Sequence, residues 1–312
     1  MNNIGDVLKK YALKPVRYTI KQNAYIITTD SGRFVLKKIS NNRDENNKEQ
    51  TRKIYSYLSS RSFNYFPKLI KSDDDYEMYE YIEDIPTPNE QKAIDIINMM
   101  SLLHNKTTYY KEVSIDIFKE KYEDIKVKLD DLSKYYMDLI TFIESRKYMS
   151  PSEYHLARNI SIVFSSLDFC KYYLEEWYTL VSNKTKERLV TVHNNLKVDH
   201  ILENSSPYLI SWNNAKMDIP IYDFYKFYRN HYLDFDFEEL YNIYVSKYPL
   251  LMEEKMLLFI LLSIPPKIEF TQNELENCIK INRYLEYIYK TEKLIKPDTF
   301  KQTTKETANK YK

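Results

Sequence analysis

The hydrophobic pattern of this chain changes its period near residue 85, and this change constrains the fold more than any other feature. Before that point, short β-branched and aromatic runs alternate with polar turns, a pattern typical of antiparallel strands. The predicted strands lie at 16–20, 24–29, 33–39, 66–70 and 76–82. Between the third and fourth strands, Ile54 and Leu58 recur at helical spacing. The first 83 residues are therefore predicted to form five antiparallel strands and one helix.

The rest of the chain follows a helical pattern with clear start signals. Three segments carry Ser or Thr followed three residues later by Glu, the capping-box pattern of a helix start. They are 87–90, 150–153 and 271–274. Two short β segments, 188–192 and 208–212, interrupt the helices and are predicted to form a hairpin. We therefore predict an α+β, two-lobed chain with an N-lobe at 1–83, a helical C-lobe at 84–295 and a polar tail at 296–312.

The composition argues against several classes of function. The 46 basic and 45 acidic residues leave a formal net charge of +1 over 312 residues, a field too weak to gather nucleic acid or anionic membranes. The first residues lack the basic and apolar regions of a signal peptide, and the longest apolar run, 256–262, is too short to span a bilayer. Two cysteines are too few for a disulfide scaffold. We therefore expect a cytoplasmic protein without a nucleic-acid or membrane partner.

Glycine is nearly absent, which limits how the chain can bind phosphate. Only Gly5 and Gly32 occur, and the predicted turn at 21–24 contains neither. A backbone without glycine approaches phosphate groups less freely than a glycine-rich loop does. Any nucleotide contact must therefore come mainly from side chains.

Several segments carry side chains that could take part in catalysis or binding. Their order along the chain is informative. Lys37 ends the third strand, and the two-residue period places it on one face with Val35. Later segments read Val-His-Asn-Asn-Leu-Lys-Val-Asp-His-Ile-Leu at 192–202, Leu-Ile-Ser-Trp at 209–212 and Asp-Ile-Pro-Ile-Tyr-Asp at 218–223. Together they resemble the protein-kinase-like superfamily, in its aminoglycoside and choline phosphotransferase branch. Within that branch, the chain is most similar to bacterial spore-coat kinase-like proteins.

The resemblance implies roles for residues that this chain retains. Lys37 would contact the nucleotide phosphates, and His193 would brace the backbone of the catalytic loop. Asp223 would hold the fold from the start of a helix. The glutamate that usually pairs with the strand lysine stays unassigned, although Glu49 is the nearest acidic residue in the predicted helix.

The same alignment shows three replaced positions. Asn195 stands where the family has its catalytic base, and a neutral amide cannot accept a proton at physiological pH. His200 and Ser211 stand at the positions of the two Mg²⁺ ligands, although Mg²⁺ prefers oxygen ligands, chiefly carboxylates. Asp199, one residue before His200, is an alternative metal ligand.

The sequence leaves two classes of function open. The first is a pseudokinase, related to spore coats or sporulation, that acts by binding an unknown protein partner or small molecule. The second is an active small-molecule phosphotransferase that uses ATP and Mg²⁺ through a rearranged metal site around Asp199. A nucleic-acid binder built on the 31 tyrosines is disfavoured by the balanced charge.

Overall fold

The computed structural model describes residues 11, 15–21, 24–30, 32–39, 45–73 and 75–295. These residues divide into two compact units. Unit 1 comprises the described parts of Met1–Met99 together with His193–Lys216, and unit 2 comprises Met100–Val192 with the described part of Met217–Lys312. The predicted lobes divide the chain at residue 84 instead. The predicted tail at 296–312 and the centre of the predicted turn at 21–24 lie outside the described residues.

Unit 1 contains a five-stranded antiparallel sheet and one helix, as predicted. The strands are β1 (Pro15–Lys21), β2 (Ala24–Thr29), β3 (Gly32–Lys38), β4 (Leu69–Ser72) and β5 (Tyr76–Glu80). They are arranged in the order β1-β2-β3-β5-β4, and every neighbouring pair is antiparallel. Helix α1 (Glu45–Ser60) connects β3 to β4.

The two faces of this sheet have different character. On one face, Ile27, Leu36 and Met78 are buried in an apolar cluster that also contains Tyr11 and Tyr76. The alternation of side chains places Lys37 on the opposite face. Lys37 and Leu36 therefore lie on opposite faces of β3, as the two-residue period of the strand predicts.

An aromatic cluster connects the second segment of unit 1 to α1 and the chain that follows it. The Trp212 ring lies 6.5 Å from Tyr55, 5.9 Å from Phe63 and 6.1 Å from Phe66, measured between ring centroids. Its indole N–H donates to the carbonyl of Leu209 at 2.8 Å, and both groups are buried. Aromatic contacts of this kind combine large apolar burial with a preferred edge-to-face geometry. The cluster fixes the backbone on both sides of residue 211.

Unit 2 is mainly helical. Its helices are α2 (Asn89–Thr107), which also contributes residues to unit 1, α3 (Ile115–Glu144), α4 (Pro151–Val181), α5 (Ile221–His231), α6 (Phe237–Lys247), α7 (Met252–Ser263) and α8 (Glu274–Ile295). Among the described helices, none is both long enough and apolar enough to cross a bilayer.

The predicted hairpin between 188–192 and 208–212 is wrong. Strand β7 (Lys186–Val192) pairs with β6 (Tyr109–Glu112) and also neighbours β10 (Lys216–Asp218). Strand β9 (Tyr208–Leu209) pairs instead with β8 (Ile201–Leu202). The sequence analysis missed β6 because its four residues are half polar and its partner lies far away in the chain.

One of the three predicted capping boxes forms as expected. The Ser150 side chain accepts from the backbone N–H of Glu153, and the Glu153 side chain accepts from the N–H of Ser150. The other two helix starts differ. The Thr87 hydroxyl donates to the carbonyl of Ile85, and α8 begins after Asn273, whose side chain accepts from a later backbone N–H.

A fully buried polar group connects three helices of unit 2. Nε2 of His104 donates to the Asp223 carboxylate at 3.2 Å, and Nδ1 contacts the Tyr244 hydroxyl at 2.9 Å. All three side chains are inaccessible to solvent. Burial raises the pKa of the Tyr244 hydroxyl. The buried Asp223 carboxylate requires His104 as its partner, because an unpaired buried charge is strongly destabilising.

Replacing Asp223 with Ala should therefore lower the free energy of unfolding by about 3 kcal/mol, as measured by urea denaturation. The matched control is Asp234→Ala, because Asp234 also contacts a histidine, His231, at 2.8 Å but is 55% exposed. That substitution should cost less than about 1 kcal/mol. Equal losses from the two variants would contradict the structural role of the buried pair.

Candidate functional site

The loop that follows β7 begins with an unusual backbone conformation. Asn194 has a φ of 63°, in the left-handed region that asparagine tolerates better than most residues. In the resembling family, this position is the glycine of the His-Gly-Asp pattern. The Asn194 side chain also donates to the carbonyl of Asn214 at 3.0 Å. An asparagine can therefore maintain a turn for which the family uses glycine.

His193 holds this loop against the segment before Trp212. Its buried ring places Nε2 2.9 Å from the carbonyl oxygen of Ile210, so this nitrogen carries the donated proton. The ring also lies 4.6 Å from the Trp212 ring. Position 193 therefore connects the loop to residues 210–212 by one polar and one aromatic contact.

His200 is fixed by its own loop. Nδ1 lies 2.6 Å from the carbonyl oxygen of Asn195, which requires Nδ1 to be the donor. The backbone N–H of Ile210 donates to the carbonyl of His200 at 2.9 Å, next to Ser211. Ser211 itself has a left-handed φ of 68°. These contacts join His200 to Asn195 and place the His200 backbone beside Ile210, the residue before Ser211.

The electrostatics of His200 connect it to Lys37. Burial lowers the pKa of His200 below its ordinary value of 6.5, and the charges of Lys197 and Lys37 lower it further. The hydrogen bond to Asn195 and the charge of Asp199 act in the opposite direction. Lys37 and the loop therefore lie within electrostatic reach of each other in unit 1. Asp199 itself is exposed.

An acidic residue that the sequence analysis overlooked lies beside Lys37. Glu77 on β5 is the direct cross-strand partner of Lys37 on β3, and it is buried. Directly opposite residues of an antiparallel pair point to the same face. The Tyr79 hydroxyl donates to the Glu77 carboxylate at 3.0 Å. Strand alternation could have identified Glu77, had the register between β3 and β5 been known.

Glu49 occupies a different environment. Its side chain is 65% exposed and forms an ion pair with Lys53, one turn later on α1, at 2.7 Å. This ion pair lowers the pKa of Glu49. Instead, α1 presents Tyr55 toward the strand face that carries Tyr79, whose pKa is raised first by burial and then by Tyr55 and Glu77. The acidic residue that accompanies Lys37 thus comes from the sheet.

Asp223 belongs to a buried hydrogen-bonded group of unit 2. It lies in unit 2, where His104 is its partner, and it belongs to the buried group described above. The sequence analysis placed a fold-holding role at this residue but did not identify the histidine at the end of α2 as its partner.

The residues at the replaced positions do not fit Mg²⁺. His200 offers a nitrogen whose ring is already oriented by Asn195, and Ser211 offers only a neutral hydroxyl. Mg²⁺ sites depend on near-ideal octahedral oxygen coordination with one or two carboxylates. Among the described residues, no three His, Cys, Asp or Glu side chains are grouped so that they could hold a metal ion.

The segment after β5 is attached to the strand that follows the loop. The N–H of Ile85 donates to the carbonyl of Glu203 at 2.7 Å, and the N–H of Glu203 donates to Asp84 at 2.9 Å. A cavity of about 420 Å³ lies beside these contacts, lined in part by Arg33 and Tyr81. Burial raises the pKa of the Glu203 carboxyl. Unit 1 thus has a polar pocket at the end of its sheet.

Replacing Lys37 with Met should raise the pKa of His200, because it removes a positive charge that opposes protonation of the ring. NMR titration of the His200 ring protons measures the change, and the matched control is Lys38→Met, an exposed neighbour whose side chain points to the other face of the strand. An unchanged His200 titration in Lys37→Met would contradict the proximity of the two groups.

The lowered pKa also determines how stability depends on pH. The unfolded chain takes up the His200 proton first as the pH falls below 6.5. The stabilising contribution of neutral His200 is therefore complete above that pH and is lost as the pH falls toward the folded-state pKa.

Comparisons with known proteins identify the fold. No protein-family model matches the chain, and no curated protein matches its sequence. An aminoglycoside phosphotransferase from Alicyclobacillus acidocaldarius has a similar structure, with a TM-score of 0.67 and 11% identity over 96% of this chain and 95% of that chain. The choline kinase LicA from Streptococcus pneumoniae matches with a TM-score of 0.46 and 15% identity over 92% of this chain and 97% of that chain. The first likeness shows that this chain has the α+β protein-kinase-like fold, with a small antiparallel sheet and a large helical part.

Proposed function

We propose that this chain is a kinase-fold protein of the aminoglycoside phosphotransferase type that has lost phosphotransfer and acts by binding. The observation that carries the proposal is the chemistry of Asn195, His200 and Ser211. None of these side chains is a carboxylate, and the Nδ1 hydrogen bond of His200 is already made to the loop. Such a protein is a pseudokinase.

The expected losses of rate support a pseudokinase over a slow enzyme. Loss of a general base reduces a rate by typically 10² to 10⁴, which phosphoryl transfer can partly tolerate because it depends more on positioning and charge. Loss of the metal ligands is more severe, since the metal ions neutralise the charge that develops on the transferred group. In this chain, both losses occur together.

The retained features favour a binding role. Lys37 still places a positive charge on the sheet face within reach of the loop, which suits an anionic group. The partner is proposed to be a protein or a small molecule, and a cytoplasmic location and a relation to spore-coat kinase-like proteins form part of the same proposal. The last point is supported by the resemblance of the long inserted helices and of the region around Pro265 and Pro266.

One observation favours an alternative. The Asp199 carboxylate is exposed beside His200, and its charge acts on the His200 ring. An active small-molecule phosphotransferase could use it as a substitute ligand, in which case ATP and Mg²⁺ would be the cofactors. This alternative makes Asp199 indispensable, whereas the pseudokinase proposal does not.

The test combines binding with turnover. Calorimetry with ATP, in the presence and absence of Mg²⁺, should give the same affinity in both conditions. ADP release in the presence of aminoglycosides, choline or sugars should not exceed the rate without protein. Turnover that Asp199→Ala abolishes, while the exposed-turn control Asp30→Ala retains it, would establish the enzyme and overturn the pseudokinase proposal.

A second measurement tests the site itself. Lys37→Ala should weaken any ATP binding about tenfold or more, because a hydrogen bond to a charged group contributes roughly 1.5 to 3 kcal/mol. Lys38→Ala changes the exposed neighbour on the other face of the strand and should bind as the unmodified chain does. Equal binding by the two variants would remove Lys37 from the site.

A further inference from the structure

A half-buried arginine in unit 2 is surrounded by tyrosines. The Arg229 guanidinium on α5 lies over the Tyr287 ring, 4.8 Å from its centroid. Tyr225 and Tyr232 also surround it. Within the described part of the chain, no carboxylate pairs with this group. A guanidinium cannot release its proton, so its partial burial without an anion is costly.

The arginine borders a cavity of about 410 Å³, a size typical of small-molecule sites. Six residues define the chemistry of its wall. They are Arg229, Tyr232, Lys267, Lys280, Arg283 and Tyr287. Four of these are cationic, and Glu269 is the one carboxylate among the residues that line the cavity.

The ion pairs nearby leave two of the cations uncompensated. Lys280 pairs with Glu276 on its own helix at 2.7 Å, and Lys267 reaches Glu269 at 4.0 Å. Arg283, like Arg229, forms no ion pair with any residue that the structure describes. The positive charge of the cavity is therefore local, because the whole chain carries only +1.

The aromatic part of the wall is held in place before any ligand binds. The Tyr232 hydroxyl donates to the backbone carbonyl of Arg283 at 3.0 Å, and the Tyr287 hydroxyl donates to the carbonyl of Leu262 at 2.5 Å. Because the two hydroxyls are engaged, the rings have fixed orientations. Such preorganisation reduces the entropy lost on binding.

We propose that this cavity binds a phosphorylated small molecule with a ring-shaped body, such as a sugar phosphate. The planar forks of Arg229 and Arg283 match the oxygens of a phosphate group, to which arginine donates in pairs. The half-buried Tyr232 provides an apolar ring surface for the body of the ligand, while Tyr287 lies beneath the Arg229 guanidinium and supports it. An adjoining cavity of about 560 Å³ shares Arg229 and Lys267 and leaves room for a larger body.

Calorimetry on the full chain tests the proposal with glucose 6-phosphate, inorganic phosphate and glucose as probes. Glucose 6-phosphate should bind at millimolar concentration or below, more tightly than phosphate, and glucose should not bind. Arg283→Gln should weaken binding at least tenfold, the loss of one charge-assisted contact. Arg229→Lys, which keeps the charge but removes the fork, should also weaken it.

Two controls make the assignment specific. Arg61→Gln removes another exposed arginine that lies over a tyrosine ring, 5.3 Å from the centroid of Tyr57, and should leave binding unchanged. Lys37→Met should also leave it unchanged, which separates this cavity from the site in unit 1. Because Arg283 is exposed, its variant should fold even if substitution of Arg229 disturbs packing.

The proposal is overturned if glucose 6-phosphate does not bind, or if glucose binds equally well. It is also overturned if Arg283→Gln retains full affinity or if Lys37→Met abolishes binding. Equal affinity for inorganic phosphate and glucose 6-phosphate would overturn the proposed contact between the ring and Tyr232.

Discussion

The packing of Trp212 is the interaction on which the rest of the candidate site depends. Its ring contacts three aromatic side chains from α1 and the chain after it, and its indole nitrogen is satisfied by Leu209. Because this cluster is buried, residues 210–212 cannot shift without opening the core of unit 1. His193 and His200 are hydrogen-bonded to that same stretch. The position of the loop relative to Lys37 thus follows from aromatic packing.

The candidate loop combines a well-defined backbone with a mainly basic charge environment at His200. The left-handed conformations of Asn194 and Ser211 and the hydrogen bonds of the two histidines define a well-ordered loop. The charges that act on its centre are those of Lys37 and Lys197, opposed by Asp199. In a metal-dependent phosphotransferase, carboxylates would hold the cation at this place. Here, the lysine charges and a largely neutral imidazole take that place, an environment that suits an anion better than a divalent metal ion.

Strong local patterns predicted most of the fold, and weak or non-local ones did not. The strand period predicted five strands, of which the fourth forms at Leu69–Ser72 and not at 66–70, and the Ser150 box correctly marked a helix start. Strand β6 and the pairing of β7 could not be predicted, because a four-residue strand has no period and its partner lies more than 70 residues away. Glu77 was missed for the same reason, since only the β3–β5 register places it beside Lys37.

The amino-acid sequence by itself determined the strand-rich pattern of the first 83 residues, the helical pattern after them and the absence of carboxylates at positions 195, 200 and 211. These properties depend on residue identity and short-range periodicity, and both can be read from a single sequence. Only the tertiary structure decided that Asp223 is bound to His104 and that Arg229 is half-buried among tyrosines, with no acidic partner among the described residues. Such contacts depend on which distant segments pack together, and the local spacing of residues in the sequence does not predict this packing.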